Sequence, residues 1–138
     1  VRTPTDLDIL EKIHDKYYGQ FCAYENDESI RASKIYVPIS CDDIAEELKV
    51  DGDIVFGRLY YHLEKKYGYR QSDGSNVHFF AFKIGATHHC VNFPLLSSVL
   101  AGLQQEKRKF VLATTISVIS LSISIISIGI AVWSKLAT

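Results

Sequence analysis

The chain has 138 residues, 15 Lys and Arg against 16 Asp and Glu, and a formal net charge of -1. That length allows one small domain with its own core, and the charge balance excludes the strongly basic stripe of a high-affinity nucleic-acid binder. Cys22, Cys41 and Cys90 form no C-x-x-C pair, and no structural disulfide is expected. Charge is uneven along the chain: residues 1–51 carry six Lys or Arg against twelve Asp or Glu, whereas 52–83 carry five against three.

Leu7, Ile9, Leu10, Ile13 and Tyr17 recur at helical spacing, with Thr5 or Asp6 as N-cap and Gly19 past the last turn, which predicts a first helix over 6–18. The polar, acidic stretch 24–33 predicts a loop. Ile35 to Ile39 is β-favourable and holds Pro38, as a short edge strand does. Ser40 caps a second helix, with Asp43 three positions on and Ile44, Ala45 and Leu48 as its apolar stripe. After the Val50–Asp53 turn, Val55, Phe56, Leu59, Tyr60 and Leu63 give one face of a helix over 54–67, and Gly68 ends it. Two strands are predicted across 69–84, around the Ser72–Asn76 turn with its Asp-Gly pair. Asn92 caps a fourth helix that begins near Phe93-Pro94.

The succession helix, strand, helix, turn, helix, hairpin resembles the winged helix-turn-helix superfamily over residues 7–84. Asp43 to Val50, followed by Ile54 to Tyr69, carries the likeness: Ala45 at the close helix crossing, Leu48 and Val50 before the turn, Leu59 and Leu63 in the second helix. The resemblance implies a recognition helix over 54–67 and a wing at 72–76. Arg58 would then read a base edge, and Tyr61, His62, Lys65 and Arg70 would contact the backbone. Asp51, Asp53 and Asp73 depart from that pattern, since they would face phosphate. The same five residues stand equally as a protein-contact face, and behind both readings Arg58, Lys65 and Lys66 form a solvated helix face partly paired with Glu64.

Phe110 to Trp133 holds no charged residue, His, Asn, Gln or Pro. As a helix it spans roughly 36 Å against a hydrocarbon core of about 30 Å, so a membrane span is expected. Lys107, Arg108 and Lys109 precede it and only Lys135 follows, which puts the N-terminal part in the cytoplasm as a tail-anchored, single-pass protein. The expected organisation is a winged-helix-like domain over 1–92, a juxtamembrane helix over 93–109 and a transmembrane helix over 110–134. Fold class is mainly α with a small β-hairpin.

Ala113, Ser117, Ser120, Ser124, Ser127, Ala131 and Ser134 recur at alternating steps of four and three. Small residues on one stripe let helices approach closely, which predicts self-association. Carried backwards, the register meets Phe110, Glu106, Leu103, Val99 and Leu96. The same stripe would also suit a wetted pore, or a structural subunit docked on another membrane protein.

His88-His89-Cys90, with His78 and Cys41, has zinc-ligand residue types without zinc spacing. No phosphate-binding loop motif occurs, and Cys90 has no evident oxyanion or orienting partner. The expectation is a non-catalytic binding module without metal or cofactor. Its expected partners are membrane lipid, further copies of itself, and DNA or a protein.

Overall fold

Thr5 starts the first helix by a reciprocal capping box: its hydroxyl accepts the Asp8 N–H at 3.1 Å, and the Asp8 carboxylate accepts the Thr5 N–H at 2.8 Å. In the computed structural model, which describes residues 2–138, helix α1 runs Asp6–Ala23 and does not stop before Gly19. The extra turn has a cause outside the helix. Arg31 is buried, and its guanidinium donates to the carbonyls of Gln20 and Phe21 in the last turn of α1 and to those of Ser33 and Lys34 in the following loop. Carbonyls that water or a glycine cap would otherwise serve are thus held by a cation at the negative end of the helix dipole.

Strand β1 is Tyr36–Pro38, and α2 is Cys41–Leu48 with the Ser40 hydroxyl accepting the Asp43 N–H. Lys49 closes α2 in the left-handed region at φ 58°. The next helix is one continuous rod in three parts: α3 (Gly52–Gly57), a π segment (Arg58–Leu63) and α4 (Glu64–Tyr67). The Glu64 N–H bonds five residues back to the Leu59 carbonyl, which widens the rod there.

The expected two strands over 69–84 are corrected to three, with a fourth following over 87–92. The Ser72–Asn76 turn joins only β2 (Tyr69–Arg70) and β3 (Asn76–Val77), whose two residue pairs form a separate ribbon. The main sheet is antiparallel, ordered β1-β5-β4, and is built from β4 (Phe80–Ile84) and β5 (Thr87–Asn92), which turn at Gly85-Ala86. Gly85 sits at φ 59°, a conformation that favours glycine. His89 is also left-handed, at φ 54°, between the pairs Ala81–Cys90 and Lys83–His88.

The chain divides into two compact units, one up to Ala101 and one from Gly102 to Thr138. The first has its core between α1 (Ile9, Leu10, Ile13), the π segment (Leu59, Leu63), the sheet (Val37, Phe80, Val91) and the opening turns of the helix that follows β5 (Phe93, Leu96), all buried. Helix α5 runs Phe93–Leu136, with the Asn92 side chain accepting the Leu95 N–H. Leu96 lies in the first unit's core, so the small-residue register does not extend back to it as a pairing surface.

Cys22 is exposed, whereas Cys41 and Cys90 are buried. Burial pushes the Cys41 thiol from about 9 up to about 11 and raises Cys90 as well. Iodoacetamide at neutral pH is therefore expected to modify Cys22 alone in the native chain and all three thiols after denaturation, as read by mass spectrometry. The sign for Cys41 follows from its raised value. The stability gained by keeping this thiol neutral is whole below the unfolded value and is lost as pH rises through about 11.

Candidate functional site

The face proposed from sequence lies on the rod 52–67 and the ribbon after it, and its members do different work. Arg58 Nη1 donates to Asp6 Oδ1 at 2.7 Å, and both side chains are largely buried, so this guanidinium ties the rod to the start of α1. His62 Nε2 stands 3.6 Å from the other oxygen of Asp6. Arg70 Nε donates to the Gly74 carbonyl at 3.2 Å and braces the β2–β3 turn. Tyr61 is 72% exposed, its ring edge-on to Tyr60 at 5.0 Å. Lys65 is exposed beside it. The surface therefore presents Tyr61 and Lys65, with Arg58 turned inward.

At the start of the rod, the Asp51 carboxylate accepts the Asp53 N–H at 2.9 Å, and Asp53 is itself exposed. Asp73 accepts from both the hydroxyl and the N–H of Ser75, which hold its carboxyl below the usual range. Two acidic groups thus stand at the start of the rod, and a third stands at the ribbon tip.

Glu64 is the polar node that periodicity does not reveal. Its Oε2 accepts the N–H groups of Phe79 and Phe80, each at 2.7 Å, and its Oε1 lies 2.8 Å from His78 Nδ1. One carboxylate thereby fixes the rod to the first residues of β4. This corrects the expected pairing of Glu64 with its helix neighbours. Gly68 is needed beside it for space, because a Cβ there would lie 2.6 Å from both the Glu64 carbonyl and Oε1. The only sequence signal was a Glu at the C-terminal end of a helix, where the macrodipole disfavours it unless something else holds it.

Along the second unit, Ser117, Ser124 and Ser127 donate to the carbonyls of Ala113, Ser120 and Ile123 at 2.9 Å, and Ser134 donates to Ala131 at 3.0 Å. Thr115 and Ser122, off the stripe, do the same to Val111 and Val118. Each of these hydroxyl protons is satisfied within its own helix, which leaves Ser120 as the one serine of the stripe without such a bond. Lys107, Arg108 and Lys109 are exposed at the head of this apolar run, and Trp133 is exposed at its far end.

Among the described residues no three His, Cys, Asp or Glu side chains gather as a metal site. His88 and His89 take part in ring contacts with Phe82, Phe80 and Phe56. No protein-family model, curated protein or solved structure matches this chain.

Proposed function

We propose that this chain is a non-catalytic binding module, held at a membrane by its final helix, whose cytoplasmic head docks a protein and whose copies associate along the small-residue stripe. The observation that carries it is the apolar window of α5, of mean hydropathy 2.2, none of which is covered by the chain itself. Fifteen large apolar side chains from Phe110 to Leu136 lie exposed. At ~1.5–3 kcal/mol for each one buried, their transfer out of water is worth on the order of 20 kcal/mol or more. A bilayer supplies that cover, and back-bonded serines are compatible with hydrocarbon.

The succession of helices and strands, with β1 joined to the β4–β5 hairpin, supports the winged-helix reading, and on that reading Gly85-Ala86 takes the place of the wing tip. Protein is favoured over DNA as the ligand of the head because Arg58 is committed to Asp6 and because Asp51 and Asp53 would oppose phosphate.

Reconstituted in phosphatidylcholine liposomes, the chain is expected to cross-link as dimers or higher species, and changing Ser117, Ser120, Ser124 and Ser127 to Leu is expected to abolish them. A native helix that stays monomeric contradicts self-association. Release of trapped dye that depends on the same serines assigns a pore in place of an anchor.

A further inference from the structure

Strand β4 is an outer strand of the sheet, and among the described residues no strand pairs with its far side. Such an edge leaves backbone N–H and C=O groups without ladder partners and is a ready template for another chain. Here Glu64 holds the Phe80 N–H, and the strand is exposed at Phe82 and Lys83. Phe82 is 53% exposed, and an open cleft of about 610 Å³ runs beside the strand, with Tyr60, Glu64 and Lys65 on the rod side and Phe80, Phe82 and Lys83 on the strand side.

Two lysines and one carboxylate line the cleft, Lys65 and Lys83 against Glu64. The Glu64 carboxylate is already taken by two backbone N–H groups and His78, so it presents little free acceptor. Lys65 and Lys83 have no ion-pair partner among the described residues. The half-exposed rings of Tyr60 and Phe82 line the same cleft. Cations, aromatic surface and an unpaired strand edge together fit one kind of occupant.

We propose that the β4 edge takes an extended acidic segment of another protein as an added strand, with Lys65 and Lys83 receiving its carboxylates and Tyr60 and Phe82 holding its apolar side chains. This rests on the protein-docking reading above and names the chemistry of the partner. Pairing of β4 with a second copy of itself is disfavoured by the same charges, because it would gather Lys65 and Lys83 of both copies along one seam with no free carboxylate to offset them.

The test presents a displayed library of short random peptides to the intact chain in neutral phosphatidylcholine nanodiscs, beside the double variant Lys65→Glu, Lys83→Glu. Both lysines are exposed, and the variant is expected to keep the native far-ultraviolet circular dichroism. The native chain is expected to enrich peptides with Asp or Glu at alternating positions and without Pro, and the variant to enrich Lys or Arg there. Removing two edge-facing N–H groups of the best peptide by N-methylation is expected to weaken it roughly 100-fold, about tenfold per hydrogen bond. Enriched peptides that ignore both the charge reversal and N-methylation overturn strand addition and leave protein docking standing. No enriched peptide, together with duplex DNA binding that falls steeply with salt, overturns both.

Discussion

Changing Arg31 to Ala is expected to lower the stability of the N-terminal unit by about 3 kcal/mol. The guanidinium donates four hydrogen bonds to main-chain carbonyls: Ser33 at 2.8 Å, Lys34 at 3.0 Å, Gln20 at 3.1 Å and Phe21 at 3.3 Å. It also sits over the Tyr24 ring, 5.0 Å from the centroid. A hydrogen bond to a charged group contributes about 1.5–3 kcal/mol, and four on one group are not additive, so the estimate stays near the worth of one or two of them. Burial pushes the guanidinium down from its ordinary value, yet it stays charged across the physiological range. Lys at this position is expected to recover little, because an ammonium is a point charge and cannot fork to carbonyls on two segments. Urea unfolding of the intact chain in micelles with Trp133 changed to Phe, followed by the near-ultraviolet signal of its tyrosines, all of which lie between Tyr17 and Tyr69, reports on this unit. An unchanged midpoint would show that α1 ends without help from Arg31.

The second large effect is at Glu64. Changing it to Ala strands the N–H groups of Phe79 and Phe80 at the head of β4, and Phe79 and Phe80 are themselves buried. Each buried donor left unmade costs about 1–3 kcal/mol, and with partial relief by water the expected loss is about 2–4 kcal/mol. Gln keeps an acceptor oxygen where both N–H groups point and loses only the charge, so it is expected to cost about 1 kcal/mol. The graded order, Glu above Gln above Ala, separates a hydrogen-bond role from simple packing. Amide hydrogen exchange at Phe79 and Phe80 reads the same contacts locally, and equal protection in all three variants would contradict the assignment.

Much of the helical framework was legible because apolar residues at a 3.6 period and short capping side chains are local signals. Ile9, Leu10 and Ile13, and further on Val55, Leu59 and Leu63, were readable as buried faces from spacing alone, and they are buried. What escaped was set by contacts distant in sequence. Gly19 read as a stop, but Arg31, placed eleven and ten residues after Gln20 and Phe21, holds the carbonyls that let α1 continue. The Asp73-Gly74 pair marked a real turn, yet the strands it joins are two residues each. The hairpin that builds the main sheet turns at Gly85-Ala86, which lacks an Asn-Gly or Asp-Gly signature. Strand β5 was obscured because His88-His89-Cys90 breaks polar–apolar alternation and His89 leaves the pleat at positive φ.

The site was legible in part. Spacing placed Tyr61 and Lys65 on an outward face, where they stand. It gave no means of knowing that Asp6, fifty-two residues before Arg58, would take that guanidinium. Nor did pattern distinguish Lys83, read only as one more cation of the middle segment, as a neighbour of Lys65 across the cleft. Facing residues on a helix and a strand edge are brought together by topology, which periodicity does not encode.

Tethering of the head and association of its copies depend on hydrocarbon as the surroundings of the run from Phe110 to Trp133. Alkaline extraction of membranes from cells making the intact chain is the most direct measurement. The chain is expected to remain in the lipid pellet and to float with it, and replacing Ile119, Ile123 and Ile126 with Asp is expected to release it. Recovery of the native chain in the alkaline supernatant as a monomer would contradict the membrane assignment and, with it, the tethered module.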